Sequence, residues 1–404
     1  MSHIISKRQS QFNMQAKEEE VKMKKDTSIE WIRIIACFLV IGAHIQLGNN
    51  IDGSISIGRL FEATIISDNV PLFFLISGYF LFAKTDRGQN SIVKTYGKKT
   101  IALFRNNLIP ITIVIILIAN IAPFIKNECA LSACTWNMAS VKQYLFEFYC
   151  NQNALDRAGH FWYICSYMKI FIWFPALALL CQKDETITKA RRILLLLAYM
   201  VMILNDLEYM TGKELGNFSN MTFDQNMLYV VLGYEIYYIF HYSKLTIKQL
   251  RYYGLCMFIF GVITKISLQE LAYWLYGTEI SGRFMGMECA PCYITSVGIF
   301  CFWHSFKDKL QVKVIGFLGK YTLFVYMFHG MVIDKSINIR WKIIEWCQNC
   351  PNFFYDIQYF IIYGVFVFAV SFVLGFTFER IYALLLKIFD LMIENIKGKI
   401  KKTA

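Results

Sequence analysis

About ten windows of some 20 mostly apolar residues recur along this chain, at roughly 29–47, 63–82, 108–125, 160–181, 193–207, 225–242, 252–268, 288–306, 314–333 and 358–379. A hydrocarbon core about 30 Å thick takes about 20 residues of helix, and inside it every backbone polar group must find its partner within the protein. The pattern predicts an all-α, polytopic membrane protein with about ten transmembrane helices. A content of 56% hydrophobic and only 17% charged residues excludes an ordinary soluble domain. The net charge of +12 could serve nucleic acid, but no basic, aromatic-interleaved soluble domain is present to hold it, so no nucleic-acid partner is expected. Its distribution is topological instead. With ten spans, the segments on one side hold 28 Lys and Arg and those on the other hold 9. Positive charge favours the inner side, which predicts cytoplasmic N- and C-termini and a multi-pass protein of the inner (plasma) membrane. Residues 1–28 lack the apolar core and cleavage site of a signal peptide and read as a disordered cytoplasmic tail. Residues 29–379 form the membrane domain, and 380–404 a basic, amphipathic cytoplasmic tail.

The first window, IEWIRIIACFLVIGAHIQL, carries Arg33 and His44. Eleven residues of α-helix turn back to within about 20° of the starting direction and rise about 16 Å, so both side chains share one face at different depths. An Arg within a span costs about 2.5–3.5 kcal/mol on insertion scales, and a functional site is the default reading. Snorkelling of Arg33 to lipid phosphate is the plain alternative. His160 opens the fourth window and His329 lies well into the ninth, which places both level with His44 in the outer half; His241 and His304 fall near inner ends. The cations sort to the other side. Arg33 lies there beside the basic segment 83–107 with Lys98, Lys99 and Arg105, which is either topological charge or a polyanion site, and Lys320 opens the ninth window. In the stretch HFWYICSYMKIFIWFP, aromatic rings beside His160 form either an interfacial belt or a surface suited to a sugar. On the second reading, His160, Trp162 and His329 are the candidate contacts for such a sugar. The Ser77–Gly78 pair allows close helix packing. No metal is expected, because neither CAPC (289–292) nor CQNC (347–350) has a companion CxxC at zinc-finger spacing. Disulfides are open to Cys129 and Cys134, and to Cys347 and Cys350, in the predicted outer loops.

Several of these stretches together resemble the integral-membrane acyltransferase family 3, bacterial O-acyltransferases of surface polysaccharides and related glycoconjugates. The resemblance rests on Arg33 and His44 in WIRIIACFLVIGAH, then VPLFFLISGYFL, KKTIALFRNNLIP, HFWYI, LGYEI and LGKYTLFVYMFH, in that order along nearly the whole chain. It implies about ten helices and no bound cofactor. A cytosolic acyl-CoA (acetyl-CoA or another) would be co-substrate, and the acceptor a carbohydrate or glycolipid hydroxyl reached from the opposite face of the lipid bilayer. Carried onto this chain, it makes His44 and Arg33 the catalytic pair. It points to Lys98, Lys99 and Arg105 for the donor, although family members often carry Arg-rich sequence there and Lys lacks the bidentate guanidinium fork.

Acyl transfer needs a base for the alcohol proton and stabilisation of the oxyanion. Neutral His44 suits the first task, either as base or as a transient acyl carrier. Rival readings are a transporter or lipid-linked glycan flippase, which would favour paired repeats and interrupted helices, and a non-catalytic scaffold of a polysaccharide export complex. The sequence shows no such repeats.

Overall fold

The computed structural model describes residues 27–45, 63–83, 89–114, 162–211, 224–276, 284, 286–307, 309–348 and 352–403. Among these the long elements are all helical. They are α1 Thr27–Ile45, α2 Asn69–Leu81, α3 Gln89–Leu103, α4 Trp162–Ile172, α5 Phe174–Leu180, α6 Glu185–Thr211, α7 Gln225–Tyr242, α8 Ile247–Tyr276, α9 Ala290–His304, α10 Lys313–Lys320, α11 Thr322–Lys335, α12 Ile337–Cys347 and α13 Asn352–Thr403. A π-helical turn, Phe104–Leu108, follows α3.

Among the described residues, five helices are long and apolar enough to cross a bilayer: α1, α2 with the turn before it (Ala63–Leu81), α6, α8 and α13; the bent pair α4–α5 makes a sixth if it counts as one span. This corrects the expectation of about ten. The reasons are local. The window 160–181 is interrupted at Trp173, where Pro175 opens α5 and the chain bends by 66°, since proline removes a helical donor and clashes with the preceding turn. The window 314–333 is two helices of 8 and 14 residues meeting at Tyr321, and 288–306 holds a helix of only 15. All three are shorter than the roughly 17–25 residues a span requires. Helix α7 has 18 residues, but its five tyrosines, Glu235 and His241 leave it too polar for lipid. Such segments are apolar because protein surrounds them, and a window of composition does not separate that from burial in lipid. The described spans therefore do not place the two termini. Residues 1–26, most of the window 108–125 (from 115 on), the loop 126–159 with Cys129 and Cys134, and Cys350 lie outside the described residues.

Burial divides the spans into two kinds. Within the best apolar window, 61% of α1 and 72% of α2 are buried, against 17% of α6 and 28% each of α8 and α13. The outer three turn rows of exposed apolar side chains outward, among them Leu196 and Met200 on α6, Phe260 and Ile263 on α8, and Val365 and Val373 on α13. A lipid-facing surface requires this. Helix α1 is the hub, packed against α2, α9, α10, α11 and α13. The pair α2–α7 is held by two glycines. A Cβ on Gly78 would lie 1.8 Å from the Val230 carbonyl oxygen, and one on Gly233 2.2 Å from that of Leu75. The backbones touch, as the Ser77–Gly78 pair predicts.

A buried ion pair joins α8 and α9 to the start of α2. Lys265 and Asp68 are both fully buried, 3.1 Å apart. Lys265 Nζ also donates to Ser67 Oγ (2.7 Å) and the Thr64 carbonyl (3.0 Å), while Asp68 Oδ1 accepts from Thr295 and Ser296, each at 2.6 Å. Breaking one side of such a pair typically costs about 3–5 kcal/mol, so this network fixes which faces of the three helices meet.

Candidate functional site

Helix α1 is fixed at both ends. Near its start, the Ser28 hydroxyl lies 2.9 Å from Nδ1 of the fully buried His304, whose Nε2 lies 2.8 Å from the Tyr79 hydroxyl. This chain joins α1, α9 and α2, and Trp31 stacks on Trp303 at 6.0 Å beside it. At the far end, the last carbonyl of α1, on Ile45, accepts from Arg340 Nη2 (3.2 Å) and from the Tyr359 hydroxyl (2.9 Å); Arg340 Nε also donates to Tyr359 (2.8 Å). The C-terminal carbonyls of a helix lack intrahelical partners, and a cation there complements the helix dipole. Arg340 and Tyr359 therefore settle the turn that carries His44.

His44 meets His329 of α11, with ring centroids 5.2 Å apart. His329 is fully buried and donates Nδ1–H to the Tyr326 carbonyl at 2.6 Å. In the neutral ring this tautomer leaves the lone pair on Nε2. Asp334, five residues further along α11, acts electrostatically on His44. Two imidazoles and a carboxylate thus gather at one end of α1. The structure thus brings His44 and His329 together. His160 lies outside the described residues, and Trp162, half-buried at the start of α4, packs against the main apolar cluster. The contact from α4 is made by the next residue, Tyr163, whose ring lies 5.8 Å from that of Tyr326.

Arg33 stands at the opposite end of the same face. Its Nη1 donates to Glu30 Oε1 at 3.0 Å, with Arg33 32% exposed and Glu30 only 5%. Its guanidinium lies 5.9 Å from the centroid of Phe80. Glu30 in turn presses on Gly319 of α10, where a Cβ would fall 2.2 Å from its Oε2. The intramembrane cation is therefore compensated and aimed, which weighs against simple snorkelling. Lys99 Nζ reaches the Phe80 carbonyl at 3.4 Å, so Arg33 and Lys99 meet on one residue at the end of α2. Lys98 is exposed. Arg105 is turned elsewhere, paired with Asp390 of α13 at 2.7 Å. Its carbonyl accepts from the Tyr382 hydroxyl at 2.5 Å, which braces the π-turn against the end of the long helix. Lys320 pairs with Glu379 at 3.4 Å.

Between the two ends runs a file of aromatic side chains. The Tyr326 ring lies 5.7 Å from His329, Tyr163 follows at 5.8 Å and Tyr167 at 6.2 Å beyond it. Arg33 acts electrostatically on both Tyr163 and Tyr167. Sequence reasoning passed over Glu30, Tyr163, Tyr326, Asp334 and Arg340. Tyr163 and Tyr326 lay within the stretches HFWYI and LGKYTLFVYMFH, and Glu30 one turn before Arg33, whereas nothing local marks Asp334 or Arg340. Among the described residues, no cluster of three or more His, Cys, Asp or Glu side chains is arranged to hold a metal ion.

A family model described as an acyltransferase domain matches residues 26–376. No curated protein and no solved structure matches the chain.

Proposed function

The chain belongs to acyltransferase family 3, and we propose that it moves an acyl group, acetyl in the first instance, from cytosolic acyl-CoA to a hydroxyl of a cell-surface polysaccharide or glycolipid. One observation carries this reading. Helix α1 presents a compensated cation, Arg33 on Glu30, and an imidazole pair, His44 with His329, on one face about 16 Å apart. Donor and acceptor can then approach from opposite sides and meet in the bundle. The basic end, with Arg33, Lys98, Lys99 and Lys320, suits the phosphates of CoA and the cytosolic side of an inner membrane. Arg105 contributes once its pairing with Asp390 opens. The acceptor approaches from the imidazole end, where His160 and Trp162 complete its contacts with His329.

In the step itself, the acceptor oxygen attacks the thioester carbonyl as His44 removes the hydroxyl proton. The tetrahedral adduct then expels the CoA sulfur, which takes that proton as it leaves. General-base catalysis of this kind contributes about 10²–10⁴ in rate. His329, oriented by its bond to the Tyr326 carbonyl, holds the ring of His44 from the side, and Asp334 favours its cation as it forms. Membership in an acyltransferase family favours this over a transporter, flippase or scaffold. Incubating purified protein with acyl-labelled acetyl-CoA, with and without a glycan acceptor, tests it. Acceptor-dependent loss of thioester and label on the glycan are expected; an inert thioester under both conditions would contradict it. Label retained on the protein without acceptor would convert His44 from base to acyl carrier.

A further inference from the structure

The two ends of the site are separated by side chains. Tyr163 of α4 and Tyr326 of α11 meet ring to ring at 5.8 Å, within the 4.5–7 Å of aromatic contact. Tyr326 is 4% exposed and rests on His329. Tyr163 is wedged from the other side by Phe73 (5.7 Å) and Phe74 (4.9 Å) of α2. Its hydroxyl and that of Tyr167 both interact electrostatically with Ser77 of α2, while Ser77 itself donates to the Phe73 carbonyl at 2.8 Å. Arg33 acts electrostatically on Tyr163, whereas Tyr326 touches His329, the partner of His44. A thioester anchored at Arg33 and attacked beside His44 has to carry its acyl group past Tyr163 and Tyr326.

Resting on the acyl-transfer reading above, we infer that Tyr163 and Tyr326 form an aromatic gate that limits the length of the acyl group this protein transfers. Passage requires the two rings to part. The movable ring is Tyr163, since α4 ends at the Trp173 break and Tyr163 is held by side chains, whereas Tyr326 sits on the helix that positions His329. A short acyl group passes with a small ring rotation. Each added methylene demands more, against Phe73 and Phe74 packed behind. Hydrophobic sites discriminate one methylene by roughly 10–200-fold, so butyryl, two methylenes longer than acetyl, is rejected by at least about tenfold.

The test is competition between acetyl-CoA and butyryl-CoA, each carrying a distinct label, with the protein in proteoliposomes and product formed from each thioester as readout. Wild type is expected to favour acetyl at least about tenfold. Tyr163→Ala should raise the butyryl-to-acetyl ratio by a similar factor, with CoA inhibition unchanged because Arg33 is untouched. Tyr163→Phe, which keeps the ring and loses only the hydroxyl, should keep the wild-type ratio. Tyr326→Leu carries the same expectation as Tyr163→Ala and decides the matter if that variant does not fold. Folded Ala and Leu variants with the wild-type ratio would overturn the gate while leaving acyl transfer standing. A wild-type protein that consumes neither thioester would overturn acyl transfer and the gate together.

Discussion

Gly319→Ala tests the account at the donor end without altering any charged residue. A Cβ at this position would lie 2.2 Å from Glu30 Oε2, 2.6 Å from Glu30 Cβ and 3.0 Å from Glu30 Cδ. The carboxylate oxygen can swing away, but Cβ is fixed to α1. To restore ordinary contact, α10 and α1 must separate by about 0.8 Å while the Glu30 carboxylate swings away, a kind of overpacking that typically costs about 1–3 kcal/mol. Either movement disturbs the 3.0 Å bond that aims Arg33. A hydrogen bond to a charged group is worth about 1.5–3 kcal/mol, and each 1.4 kcal/mol is tenfold in affinity. Steady-state kinetics with acetyl-CoA varied at saturating acceptor should therefore show the donor KM raised about tenfold or more. The acceptor KM should stay within about twofold, because the imidazole end is about 16 Å away. Glu30→Gln, which keeps the shape and removes the charge, should move the same parameter in the same direction. An unchanged donor KM in a Gly319→Ala protein that folds would refute the claim that Glu30 positions Arg33 for the donor.

At the opposite end, Arg340→Ala should loosen the final turn of α1 and lower kcat, leaving the donor KM at its wild-type value; a raised donor KM with normal kcat would contradict its role at the His44 end. In the scaffold, Lys265→Met leaves Asp68 buried without its counter-ion and should cost about 3–5 kcal/mol, read as a lower midpoint of thermal unfolding in detergent. Combining it with Asp68→Leu should recover most of that loss, and a double variant no more stable than the single one would show that the pair acts through something other than its buried charge.

The common face of Arg33 and His44 was legible because eleven residues on a helix is a fixed rotation. The ring contact of His44 with His329 was suggested by a depth argument whose ninth span the structure breaks at Tyr321. The partners that make the site specific were hidden for two reasons. Glu30 falls at the edge of an apolar window, where a carboxylate reads as flanking charge, and Tyr163 and Tyr326 look like two more aromatics in a chain that is 17% aromatic. Long-range pairings were invisible outright. Arg105 faces Asp390 across 285 positions, and Arg340 caps Ile45 across 295. Much of the excess of predicted spans shares one physical source. Averaged hydropathy registers transfer out of water whatever the destination, so α9, α11 and the two sides of the Trp173 break scored as spans although protein, not lipid, covers much of them.

The central claim is that His44 performs the chemistry at one end of a rail whose other end holds the donor. Its most direct test is the rate of acetyl transfer from labelled acetyl-CoA to a glycan acceptor by purified His44→Ala in proteoliposomes, measured beside wild type at equal CoA occupancy. The account predicts a fall of about 10²–10⁴ with unaltered CoA binding and an unaltered unfolding midpoint. Wild-type transfer by the His44→Ala protein would contradict it.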